Sequence, residues 1–97
     1  MKPEAKISSI LKFFEGLGIK VVTPSAIYPH VSFKEGDARY LREGDWNSIE
    51  ALLKGFVEEW GKGSEKVLMW SEGNKVNFGF LSQAKGIVEL HYVSIEV

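Results

Sequence analysis

Two histidines, three tryptophans and no cysteine set the chemical repertoire of this 97-residue chain. An imidazole titrates near neutrality and can serve as ligand or general base. His91 lies in a strand-like run, two residues after Glu89. Spacing fixes no nucleophilic Ser or Cys beside it, nor the second histidine, so a structural or solvent-facing His91 is the expectation. His30 follows Pro29 and, with Asp37, Arg39 and Tyr40, makes a second candidate polar cluster. Two histidines without a cysteine do not supply a zinc site. Glu-Gly-Asp occurs at 35–37 and again at 43–45. Both copies read as turns, because a calcium loop needs more carboxylates at ligand spacing. The Gly61-Lys62-Gly63-Ser64 stretch follows a helix and precedes a strand, the reverse of a phosphate-binding loop. No metal and no cofactor is implied.

The elements that must position these residues are legible from periodicity. Ile7, Ile10, Leu11, Phe14 and Leu17 make one apolar stripe and predict a helix over 4–17, with Pro3 at its start. Residues 19–23 read as a strand stopped by Pro24. Residues 31–34 and 38–42 read as a hairpin. Ile49, Leu52, Leu53, Phe56 and Trp60 share a face and predict a second helix, capped by Asn47 with Glu50 three residues on. Three strands follow, over 66–71, 76–81 and 87–97. The expected fold is α+β in the order α-β-(ββ)-α-βββ. It is a two-layer sandwich with both helices on one face of a mostly antiparallel sheet. The whole chain, 1–97, reads as one domain. The segments Ile10-Leu11-Lys12-Phe13-Phe14 and Leu52-Leu53-Lys54-Gly55-Phe56 hint at a weak αβββ duplication over 1–44 and 45–97.

Turn chemistry sharpens the last three strands. A two-residue loop at Gly73-Asn74 pairs Leu68 with Gly79, Met69 with Phe78 and Trp70 with Asn77. A three-residue bulged loop at 84–86 then pairs Gly79 with His91 and Phe78 with Tyr92. This register puts Val67, Met69, Val76, Phe78, Phe80, Val88, Leu90 and Tyr92 toward the helices. The opposite face keeps Leu68, Trp70, Asn77, Gly79, Leu81, Glu89, His91, Val93, Ile95 and Val97. A face meant only for water would carry more charge. Leu68, Trp70, Asn77, Gly79, Glu89, His91, Val93 and Ile95 are therefore the candidate binding or interface residues. Trp70 is foremost, as a large aromatic placed away from the core.

Composition bounds the function classes. The formal net charge is −1, without the basic excess of a nucleic-acid coat, so nucleic acid is disfavoured as a partner but remains open. No apolar run approaches a membrane span, and no signal-peptide pattern opens the chain. Without cysteine, a cytoplasmic location is the expectation. Ten Lys against two Arg, and eleven Glu against two Asp, resemble the bias of heat-adapted proteins and point to a thermophilic source. The leading expectation is a small, non-catalytic, intracellular interaction domain that self-associates as a dimer or binds a protein partner. A small-ligand or single-stranded nucleic-acid module using the outer sheet face is the alternative. An enzyme with a His91 or His30 base is the third, with no legible nucleophile or cofactor cradle.

Overall fold

A computed structural model describes residues 2–24 and 34–97. The elements are helix α1 (Pro3–Gly16), strand β1 (Lys20–Val22), strand β2 (Lys34–Leu41) and helix α2 (Trp46–Phe56). A π-helical turn (Val57–Gly61) and strands β3 (Lys66–Glu72), β4 (Lys75–Ala84) and β5 (Ile87–Glu96) follow. Among the described residues the fold is α+β, with two helices, a five-stranded sheet and the expected element order. His30 and the first half of the expected hairpin lie outside the described residues.

The sheet order is β1-β3-β4-β5-β2. β3 and β4 pair antiparallel, as do β4 and β5, but β1 joins β3 and β2 joins β5 in parallel. The sheet is thus mixed: an antiparallel meander with a parallel strand at each edge. The two early strands stand at opposite edges and flank the later meander. Lys34–Leu41 is one continuous strand paired to β5, so its Glu-Gly-Asp is no hairpin turn. Those residues form a bulge instead. Glu35 pairs with Leu90 and Ala38 with Tyr92, leaving Gly36 and Asp37 together opposite His91.

Helix α2 starts earlier than its pattern suggests. Asp45, not Asn47, is the N-cap, and its side chain accepts a hydrogen bond from the Ser48 backbone N–H at 2.8 Å. That bond holds the Asp45 carboxyl below its ordinary range. At the other end, the wider π turn carries the chain to Gly61, which is buried against the Phe80 ring. A Cβ at Gly61 would lie 2.5 Å from that ring, so only glycine permits this approach.

The first meander turn has the expected register, with Leu68 opposite Gly79, Met69 opposite Phe78 and Trp70 opposite Asn77. The second does not. It is a two-residue loop of Lys85 and Gly86, with φ of 54° and 77°, and Ala84 pairs with Ile87. Positive φ at both central residues is the type I′ pattern, whose twist suits a hairpin. Relative to the bulged alternative, β5 moves by one residue: Phe80 faces His91 and Phe78 faces Val93. A one-residue slip exchanges the two faces of a strand. Val93 and Ile95 accordingly join the core, fully buried with Ile10, Phe14, Ile49, Leu53, Phe56, Val67, Val76 and Phe78. His91 is buried with them, while Leu90 and Tyr92 lie on the outer face with Trp70.

Candidate functional site

The slip assembles a polar cluster around His91 from four elements. The bulge in β2 frees the Asp37 backbone N–H from the strand ladder, and it donates to His91 Nδ1 at 2.9 Å. A Cβ at Gly36 would run into the imidazole, so the bulge needs glycine at that position. The other ring nitrogen, Nε2, lies 2.8 Å from Ser82 Oγ on β4 and 3.6 Å from a Glu89 carboxylate oxygen. The π turn brings Trp60 flat against the ring, with centroids 3.5 Å apart and planes 6° from parallel. Trp60, which the helical pattern places on the apolar face, packs against the core and uses its indole N–H to donate to Asp37 Oδ2 at 3.0 Å. Arg39 donates to the same oxygen through Nε at 3.1 Å and Nη2 at 3.0 Å, and also pairs with Glu59. The hydrogen bonds from Trp60 and Arg39 hold the Asp37 carboxyl below its ordinary range.

The Ser82–His91 pair has the spacing of a nucleophile and its base, but the proton is on the wrong nitrogen. Nδ1 accepts from a backbone N–H, so the neutral ring carries its proton on Nε2. Nε2–H then donates to Ser82 and cannot take the serine proton. The cluster ties β2, β4, β5 and the π turn together. Among the described residues, no three His, Asp or Glu side chains form a metal-binding group.

Among the described residues, the outer sheet face is recessed in more than one place. A groove of about 440 Å³ is lined by Thr23, Pro24, Leu68, Trp70, Leu81 and Leu90. Gly79 leaves room here for Trp70 and Leu90, not for the His91 ring: its missing Cβ would lie 3.1 Å from the indole and 2.9 Å from Leu90 Cδ1. Trp70 meets Tyr92 at 5.8 Å between ring centroids, with planes 58° apart. A polar recess of about 180 Å³ is lined by Ala38, Arg39, Tyr40, Glu72, Lys75, Asn77, Tyr92 and Ser94. Tyr40 and Tyr92 donate their hydroxyls to Glu96 at 2.7 Å and Glu35 at 2.8 Å. Those carboxylates push both phenols above their usual range. Asn77 is only 2% exposed, and its Nδ2 has no hydrogen-bond partner among the described residues.

Of the sequence-derived residues, Leu68, Trp70, Asn77 and Gly79 come together on the outer face. Glu89 and His91 belong to the polar cluster on the opposite side, and Val93 and Ile95 to the core. Asp37 and Arg39 do meet, but around His91, whereas Tyr40 lies on the outer face. Periodicity missed Ser82 and Glu59 in the cluster, and Thr23, Pro24, Leu90 and Tyr92 on the outer face. The signal for Leu90 and Tyr92 was the Lys85-Gly86 pair, read as a two-residue loop.

No family model, curated protein or solved structure gives a significant match to this chain.

Proposed function

We propose that this protein is a non-catalytic binding domain that holds a small, largely apolar molecule on the outer sheet face. The observation that carries this reading is the groove beneath Trp70, walled by Leu68, Leu81 and Leu90. Its volume of about 440 Å³ lies within the roughly 300–1,000 Å³ usual for ligand pockets. A two-layer arrangement is part of the proposal: one core cluster drawing on both helices and on β3, β4 and β5 supports it. The direct check is an NMR titration with 2-naphthol as the probe. Saturable shifts confined to Leu68, Trp70, Leu81 and Leu90, weakened about tenfold by Trp70→Ala, are expected. Shifts scattered over the surface, or none, would sink the reading.

Self-association through the same face is the second reading. Leu81 at 37% and Tyr40 at 52% exposure favour it. Pairing through a sheet edge is less supported: β1 has three residues, and β2 is bulged and begins with Lys34 and Glu35. Short, bulged or charged edges resist strand addition. Sedimentation of the wild type and Trp70→Ala separates the two readings. A dimer lost in the variant would favour self-association, and a monomer would favour the small ligand.

A further inference from the structure

We infer that the polar recess around Asn77 is a second binding subsite, and that it takes a neutral, planar ring presenting a carbonyl oxygen, of the pyrimidinedione kind. The inference rests on the outer face being a binding face. Asn77 projects from the middle of β4 and is almost fully buried, yet its Nδ2 donor is unpartnered among the described residues. Buried polar groups in folded proteins nearly always find partners, so this donor calls for an acceptor.

The surrounding groups decide what kind. Both tyrosine hydroxyls at the recess are already committed to carboxylates, Tyr40 to Glu96 and Tyr92 to Glu35. Glu72 lines the recess as well. One carboxylate thus lines the recess and two more hold its tyrosine hydroxyls. Lys75 and Arg39 are the cations lining it: Lys75 Nζ is seated 4.8 Å from the centre of the Tyr40 ring, whereas the Arg39 guanidinium is committed to Asp37 and Glu59, and Arg42 acts on Tyr40 and Glu96 from nearby. With the Arg39 charge spent on Asp37 and Glu59, Glu35, Glu72 and Glu96 stand against Lys75 and Arg42, and this negative balance discriminates against an anionic acceptor such as a carboxylate or phosphate. Two phenol rings, with Trp70 opposite Asn77 in register, supply aromatic surface for stacking. A volume of about 180 Å³ suits one small ring and excludes a larger bicyclic ligand with substituents.

The test is a titration of the full chain with uracil, followed by NMR at the Asn77 side-chain amide and by tryptophan fluorescence. Saturable binding in the millimolar range is expected, with the amide resonances shifting most. Asn77→Leu should weaken it about tenfold or more. Orotate, which adds a carboxylate to the same ring, should bind about tenfold more weakly than uracil. Asn77→Leu should also melt at the wild-type temperature or above, because it removes an unpaired buried donor. A lower melting temperature would mean the amide is already satisfied, and would overturn the inference. Undiminished uracil binding by Asn77→Leu, or tighter binding of orotate than of uracil, would overturn it too. If 2-naphthol fills the groove while uracil leaves the amide unshifted, the subsite fails alone. If neither binds, the binding-face reading fails with it.

Discussion

Trp60 and His91 lie face to face, 3.5 Å between ring centroids, and both are tied to the same residue, Asp37. The indole N–H meets the Asp37 carboxylate, and the Asp37 backbone N–H meets the imidazole. One bulged residue thus clamps two rings that arrive from different elements. This clamp makes a histidine on the buried side of β5 tolerable.

His91→Ala removes a fully buried ring and leaves the Asp37 N–H without its acceptor. Urea denaturation should register a loss of about 2–4 kcal/mol, the sum of a cavity and an orphaned donor. His91→Phe keeps the stacked area but not the hydrogen bonds, and should cost about 1–3 kcal/mol. Equal stability of wild type and His91→Phe would mean the hydrogen bonds contribute nothing.

Asp37 links stability to acid. Its folded carboxyl titrates below the ordinary 3.8 because Trp60 and Arg39 hydrogen-bond the charged form. A depressed folded value makes the unfolded state bind protons first. The contribution is therefore complete above the ordinary value and disappears as pH falls through the folded one. Asp37→Asn should be less stable than wild type at neutral pH, and the gap should close as the solution is acidified below 3.8. Denaturation curves across pH 2–7, a range of about five units, test this; a gap independent of pH would refute it.

Lys85 occupies left-handed backbone at φ 54°, where a lysine is strained and asparagine is not. Lys85→Asn creates the Asn-Gly pair that suits this hairpin and should stabilise the protein by about 0.5–1 kcal/mol. Gly86→Ala, at φ 77°, should cost about 1 kcal/mol. Thermal melts decide both signs.

Gly79→Ala tests the seat of Trp70. The added methyl would sit 2.9 Å from Leu90 Cδ1 and 3.1 Å from both the indole and the His91 carbonyl oxygen. Overpacking of this kind costs about 1–3 kcal/mol. The indole should shift, changing the tryptophan emission and closing the groove to 2-naphthol. An unchanged spectrum with full probe binding would place Trp70 elsewhere.

Much of this architecture was readable in one dimension because it depends on local periods. The apolar stripe through Ile10 and Phe14 marks α1, and the stripe through Ile49, Leu53 and Phe56 marks α2. Gly73-Asn74 sets the pairing of β3 with β4, since a two-residue loop leaves one register. The outer-face group of Leu68, Trp70, Asn77 and Gly79 follows from that pairing alone.

β5 is different, because its two halves disagree. Val88, Leu90 and Tyr92 argue for burying the even positions, whereas Val93 and Ile95 argue for the odd ones. The odd positions won, at the cost of burying His91. Its acceptor is met by Asp37, 54 positions away in sequence, and its flat face by Trp60 from a π turn. No local pattern carries that information. The price of burying a polar ring depends on whether distant groups arrive to meet it. The sequence by itself determined the helices, the three strands of the meander and the Gly73-Asn74 hairpin, all of them matters of neighbours along the chain. The tertiary structure alone decided the parallel edge strands, the bulge opposite His91 and which side of β5 faces the core, because each is settled by partners the chain brings together only on folding.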